Sequence, residues 1–176
     1  MTDGRTDALV IEVKNLVTHY GKRRILDGID FDVRAGEIMV IMGGSGSGKS
    51  TLMRHLLSLQ QATSGSIRVL GKDIAALNTV ERSELYRELG VAFQTGALLS
   101  SLSVGENIML PLTEHTKLDR PTMEIMMRMK LEVVDLAGFE DLMPAELSGG
   151  MTKRAALARA IVMDPKILFC DRSEEH

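Results

Sequence analysis

The stretch Gly43-Gly44-Ser45-Gly46-Ser47-Gly48-Lys49-Ser50-Thr51 satisfies G-x-x-x-x-G-K-[ST], a spacing whose chemistry is the cradling of polyphosphate. Its glycines permit a tight turn that aims successive N–H groups into one concavity, and the start of a following helix adds its positive dipole end. Lys49 is spaced to reach the β- and γ-phosphates, Ser50 to offer its hydroxyl to Mg²⁺, and Thr51 to add a hydroxyl on the α-phosphate side. A flexible Gly/Ser linker is the competing reading of the same glycines, but a linker has no use for Lys49.

Two more places carry candidate chemistry. Asp171 follows the apolar run Ile167-Leu168-Phe169-Cys170, and ligands in open α/β sheets bind at the carboxyl ends of strands. With Lys49 and Ser50 upstream, Asp171 is the candidate Mg²⁺ partner. Ser148-Gly149-Gly150 opens a helical pattern, and a hydroxyl, free N–H groups and a helix dipole together make an anion site. An ordinary N-cap with glycine freedom accounts for the same residues. His19, His55, His115 and His176 lack metal-ligand spacing and read as surface or core residues.

These groups need a scaffold of alternating strands and helices. Glu37–Met42 is short and apolar, as a buried parallel strand would be, and Leu52, Leu56, Leu57 and Leu59 recur at helical spacing after the loop. Upstream, Val10–Val17 reads as a strand, and Ile29, Phe31 and Val33 alternate with polar residues, so the chain begins as an antiparallel layer. Between them, Lys22-Arg23-Arg24 reads as a solvated turn or, less simply, a phosphate contact. Downstream, strands are expected at Ser66–Leu70 and Gly90–Phe93, with a helix at Thr79–Glu88 between them. A capping box, Ser103 with Glu106, should start a helix that Pro111 ends. A further helix is expected from Pro121 to Leu136, its methionines filling a core or lining a plastic groove. Ser148 should cap the last helix, running to Ile161, before the Ile167–Cys170 strand.

Composition narrows the class. At 176 residues the chain fits one domain that buries about 70% of its unfolded surface. A formal charge of -3, a pI near 5.8 and 3% aromatic residues argue against nucleic acid as a partner. No run of eighteen apolar residues and no leader pattern is found, which suggests a cytosolic chain, and one cysteine cannot make an internal disulfide.

The phosphate loop, Gln94 after Val91-Ala92-Phe93, Leu147-Ser148-Gly149-Gly150-Met151 and Ile167–Asp171 follow one another in the order and near the spacing of the ATP-binding cassette (ABC) superfamily. The chain resembles that family over nearly all its length to Asp171. In Phe93–Leu98, Glu114-His115-Thr116 and a signature ending in Met151, it is similar to the ATPase subunits of phospholipid-trafficking (Mla, toluene-tolerance) systems.

The resemblance implies an α/β fold: a P-loop NTPase (RecA-like) core with an antiparallel β subdomain and a helical signature subdomain, incomplete at the C-terminus. The core would comprise 1–94 and 164–176, and the helical part 95–163. It implies ATP and Mg²⁺ as ligands, with Tyr20 stacking on adenine and Gln94 touching Mg²⁺ or the attacking water. Ser50, Gln94 and Asp171 would serve the metal. Ser148, Gly149, Gly150 and Met151 would clamp, in trans, the γ-phosphate held by Gly43–Thr51 of a second copy in a head-to-tail dimer. The helical part would dock an integral-membrane permease subunit, placing the protein at the inner face of the bacterial inner membrane and powering phospholipid transport.

The likeness stops at Arg172, where the family carries a catalytic glutamate, and Ser173–His176 match no later family element. A truncated or frameshifted ending is the expectation, leaving no catalytic base and no switch histidine. The same departure motivates an alternative function, a module that clamps ATP without hydrolysing it.

Overall fold

A computed structural model describes residues 8–93 and 96–171. They fall into two compact units, 1–82 and 83–176.

In the first unit, β1 (Leu9–Tyr20), β2 (Arg23–Arg34), β3 (Ser64–Val69) and β4 (Lys72–Asp73) form an antiparallel sheet in the order β2-β1-β3-β4. The expected antiparallel layer is present, with both first strands longer than the alternation alone suggested. Val13 pairs with Phe31 on one side and Ile67 on the other, while Ile11 pairs with Val33 and Val69. Ile11, Val13, Ile67 and Val69 are buried, so one face of the sheet carries the core. β1 bulges at Asn15, which takes a left-handed φ of 47°, and the ladder to β3 shifts between Lys14 and Val17. Opposite the bulge, Gly65 lies so close that a Cβ would come within 2.4 Å of the Asn15 carbonyl oxygen. Only glycine fits there. Helix α1 (Lys49–Leu56) contributes Leu52, His55 and Leu56 to the interior.

The expected strand at Glu37–Met42 is not formed. Among the described residues none of the strands pairs with it, and Ile38, Val40 and Met42 are 91%, 73% and 79% exposed. An apolar run becomes a strand only where neighbours satisfy its backbone and cover its side chains. Leu59, beyond the end of α1, is likewise exposed.

The second unit pairs β5 (Leu89–Ala92) with β6 (Ile167–Cys170) in parallel register, from Leu89 opposite Ile167 to Ala92 opposite Cys170. The division between the units falls within α2 (Thr79–Arg87). Helices α3 (Val104–His115), α4 (Arg120–Val133) and α5 (Gly149–Ala160) enclose a core that includes Ile108, Leu112, Leu131, Leu136, Ala155 and Val162. A 3₁₀ turn at Pro144–Glu146 leads into α5.

The Ser103–Glu106 capping box at the start of α3 forms in both directions. Pro111, expected to end that helix, lies inside it. Pro111 removes the donor to the Asn107 carbonyl, and the helix continues across it with Ile108, Met109 and Leu112 buried on its core side. In α4, Met127 and Leu131 are buried, whereas Ile125, Met129 and Val133 face solvent, so only one side of the methionine-rich stretch fills the core. No helix among the described residues is long and apolar enough to cross a membrane.

Candidate functional site

The phosphate loop folds as its glycines require. Gly48 caps α1 in a left-handed conformation with φ 97°, and Gly46 is left-handed too, at 77°. A side chain at Gly48 would be strained by that φ and would also meet Leu26 at 2.9 Å. Ser47 N–H bonds the Gly44 carbonyl at 3.2 Å, drawing the loop into a turn, and Leu52 N–H bonds the Gly48 carbonyl at 2.8 Å as the helix begins. The N–H groups of Gly46, Gly48, Lys49 and Ser50 find no acceptor among the described residues. Ser45, Gly46 and Ser47 are exposed. Lys49 curls back over the loop and donates to the carbonyls of Gly43 and Gly44, the latter at 3.0 Å. Free donors, one ammonium and a helix start thus occur together in one exposed loop, a combination that suits an anion with several oxygens.

Ser50 is exposed in the first turn of α1, with its hydroxyl available to a hard cation. In the second unit, Asp171 directly follows β6, and its N–H bonds the Ala92 carbonyl at 2.9 Å, extending the parallel ladder by one step. No three His, Cys, Asp or Glu side chains gather around one point among the described residues. Hydroxyl and carboxylate oxygens fit Mg²⁺, which takes few protein ligands and completes its shell with phosphate and water.

Tyr20 ends β1 with its ring 45% exposed. Its hydroxyl donates to Gln60 Oε1 at 2.7 Å. Hydrogen bonding with Thr51 first and Gln60 second, helped by the charge of Arg54, holds the phenol below its ordinary pKa.

In the second unit Ser148 caps α5, its Oγ accepting from Met151 N–H at 3.3 Å. The sequence expectation of an N-cap holds. Gly149 and Gly150 have open space where a Cβ would stand, and neither needs a left-handed backbone. Gln94 lies outside the described residues. Immediately after it, Arg159 of α5 donates to the carbonyls of Gly96 at 3.0 Å and Ala97 at 2.9 Å, and burial lowers the pKa of its guanidinium. Arg159, His55, Thr18 and Gln60 were not singled out by spacing, because each acts through contacts distant in sequence. A separate cleft of about 310 Å³ is lined by Glu106, Arg120, Glu124, Arg128 and Glu140 and contains none of the motif residues.

Comparison with known proteins places this geometry. Residues 26–173 match the family model described as ABC transporter. The chain is 42% identical over 173 residues to the probable ribonucleotide transport ATP-binding protein mkl of Mycobacterium leprae, covering 98% of this chain and 50% of that protein. It is 43% identical over 162 residues to the intermembrane phospholipid transport system ATP-binding protein MlaF of Haemophilus influenzae, covering 92% and 61% respectively. The chain therefore spans half to about three fifths of the curated relatives it matches. Among solved structures, the ATP-binding cassette MJ0796, dimeric in a post-hydrolysis state bound to ADP and Pi, aligns with a TM-score of 0.84 and 28% identity. That alignment covers 92% of this chain and 73% of the other, and the α/β P-loop NTPase fold is common to both. With the family match running from β2 past the end of β6, the chain belongs to the ABC transporter family.

Proposed function

We propose that the chain is the ATP-binding part of an ABC transporter ATPase subunit that powers phospholipid transport. The observation that carries this reading is the exposed phosphate loop, where the N–H groups of Gly46, Gly48, Lys49 and Ser50 have no acceptor among the described residues and the Lys49 ammonium lies against the loop. Lys49 and the loop amides would hold the β- and γ-phosphates, and Tyr20 would stack on adenine. Ser50, Gln94 and Asp171 would hold Mg²⁺, which when bound supplies charge neutralisation at the phosphates. The name of MlaF supports phospholipid as cargo, while that of mkl points to ribonucleotide, so the lipid assignment also leans on Glu114-His115-Thr116 and the Met151 signature.

Among the described residues no contact or backbone conformation requires glycine at 149 or 150, and the open space there leaves room for a close approach from outside. That favours the Ser148–Met151 segment clamping the γ-phosphate of a second copy in a head-to-tail dimer. The helical part, including its charged cleft, would dock a permease at the inner face of the bacterial inner membrane.

One sequence feature favours a second reading. Arg172 follows Asp171 where a general base is expected, so the chain would bind ATP without turning it over. Phosphate release decides between them. Steady Mg²⁺-dependent release, abolished by Lys49→Ala, establishes hydrolysis, whereas saturable ATP binding with release at background establishes the non-hydrolysing module.

A further inference from the structure

In the first unit, three hydrogen bonds link His55, Thr18, Gln60 and Tyr20. His55 lies on α1, beyond Lys49, with no exposed surface. Its Nδ1 is 2.9 Å from the main-chain oxygen of Gln60, which can only accept, so Nδ1 carries the hydrogen. In that tautomer Nε2 accepts the hydroxyl of Thr18 at 2.7 Å, and Thr18 is itself buried in β1. Two residues along the same strand, Tyr20 donates to the side-chain oxygen of Gln60 at 2.7 Å. Gln60 is thus held twice, by His55 through its main chain and by Tyr20 through its side chain.

A buried imidazole is an expensive way to fill space, since an aliphatic side chain of similar volume needs no partners. Satisfied at both nitrogens, it sets geometry that apolar packing would leave loose. Here the geometry is the placement of α1, which begins with Lys49, against the end of β1, which carries Tyr20. We propose that His55 is a positioning residue for the nucleoside end of the site, fixing the Tyr20 ring relative to the phosphate loop through Thr18 and Gln60. The proposal rests on the reading of Tyr20 as the platform for the base. A ring already held by its hydroxyl loses little freedom when a base stacks on it, which strengthens binding of the nucleoside and leaves phosphate binding alone.

The test measures, by titration calorimetry on the 176-residue chain with Mg²⁺, the affinities for ATP and for inorganic triphosphate. Their ratio isolates the base. The unaltered chain should favour ATP, and Tyr20→Ala should erase that preference. His55→Leu and Gln60→Ala should lower the ratio about three- to tenfold, the scale of freeing one ordered side chain, with triphosphate affinity unchanged. His55→Asn, which keeps a donor near the Nδ1 position, should recover most of the ratio. If His55→Leu does not fold, Gln60→Ala decides alone, because it removes the Tyr20 contact and leaves the buried pair intact. A ratio untouched by Gln60→Ala and by any folded His55 variant, with Tyr20→Ala still erasing it, overturns the positioning role and spares the platform. Parallel weakening of both ligands shows a merely structural histidine and also overturns it. No preference for ATP in the unaltered chain sinks both readings.

Discussion

The side chain of Asn107 and the backbone of Leu99 exchange two hydrogen bonds, Leu99 N–H to Oδ1 at 2.8 Å and Nδ2 to the Leu99 carbonyl at 3.0 Å. Nδ2 also reaches the carbonyls of Leu102 and Ser103, so one fully buried amide from α3 organises the loop that leads into its own helix. Asn107→Leu removes the acceptor of the Leu99 N–H and the side-chain donor to three carbonyls, of which those of Leu99 and Ser103 keep the backbone N–H groups of Leu102 and Asn107. It should destabilise the chain by about 2–4 kcal/mol, read as a lowered urea midpoint at unchanged slope.

Lys49→Ala removes the one ammonium that reaches the phosphate loop. Triphosphate affinity should fall roughly ten- to hundredfold, the scale of a hydrogen bond to a charged group, while stability should fall by no more than about 1 kcal/mol, because the bonds lost are to exposed loop carbonyls. Calorimetry and a melting curve separate the two effects.

Gly48→Ala should lower both stability and binding. The left-handed φ and the 2.9 Å approach of Leu26 penalise a Cβ, so a loss of about 1–3 kcal/mol is expected together with weaker triphosphate binding, in contrast to the stable Lys49 variant.

Asp119 caps α4, its carboxylate accepting from Thr122 N–H at 3.1 Å, and bonding to Thr122 holds its pKa below the ordinary value. The sign follows from the depressed folded pKa. Its stabilisation is present above the unfolded pKa and disappears as pH falls through the folded one. Asp119→Ala should therefore be less stable than the parent at neutral pH, and the gap should close in acid; a gap that persists below the carboxylate range would contradict this.

Ile38 and Val40 are exposed in an unpaired apolar run, an invitation to association through sheet edges. The double variant Ile38→Lys, Val40→Lys should reduce dye binding to exposed apolar surface and shift sedimentation toward monomer. Stability should change by no more than about 0.5 kcal/mol, since neither side chain contributes to the core.

Local chemistry was readable from neighbouring residues. The capping box at Ser103, the cap at Ser148 and the glycine pattern ahead of Lys49 each depend on groups a few positions apart, and each forms as expected. The antiparallel start was readable because Ile29, Phe31 and Val33 alternate with charges, which only a one-sided sheet explains. Glu37–Met42 misled because apolar content reports a strand's preference and not whether flanking strands are present to satisfy it. Pro111 misled because the core contacts of Ile108, Met109 and Leu112 on either side hold the helix across the missing donor. His55 read as one histidine among scattered ones, and its partners Thr18 and Gln60 became visible only when β1 and α1 met.

The cap on α5 has a directional consequence. Because Ser148 Oγ already receives the Met151 N–H, its hydroxyl hydrogen is left to point away from the helix, as a donor. A serine so engaged can donate a hydrogen bond to an approaching anion. Aspartate would satisfy the same backbone N–H with no hydrogen to spare, so Ser148→Asp should preserve the helix while replacing an O–H donor at its start with a negative charge.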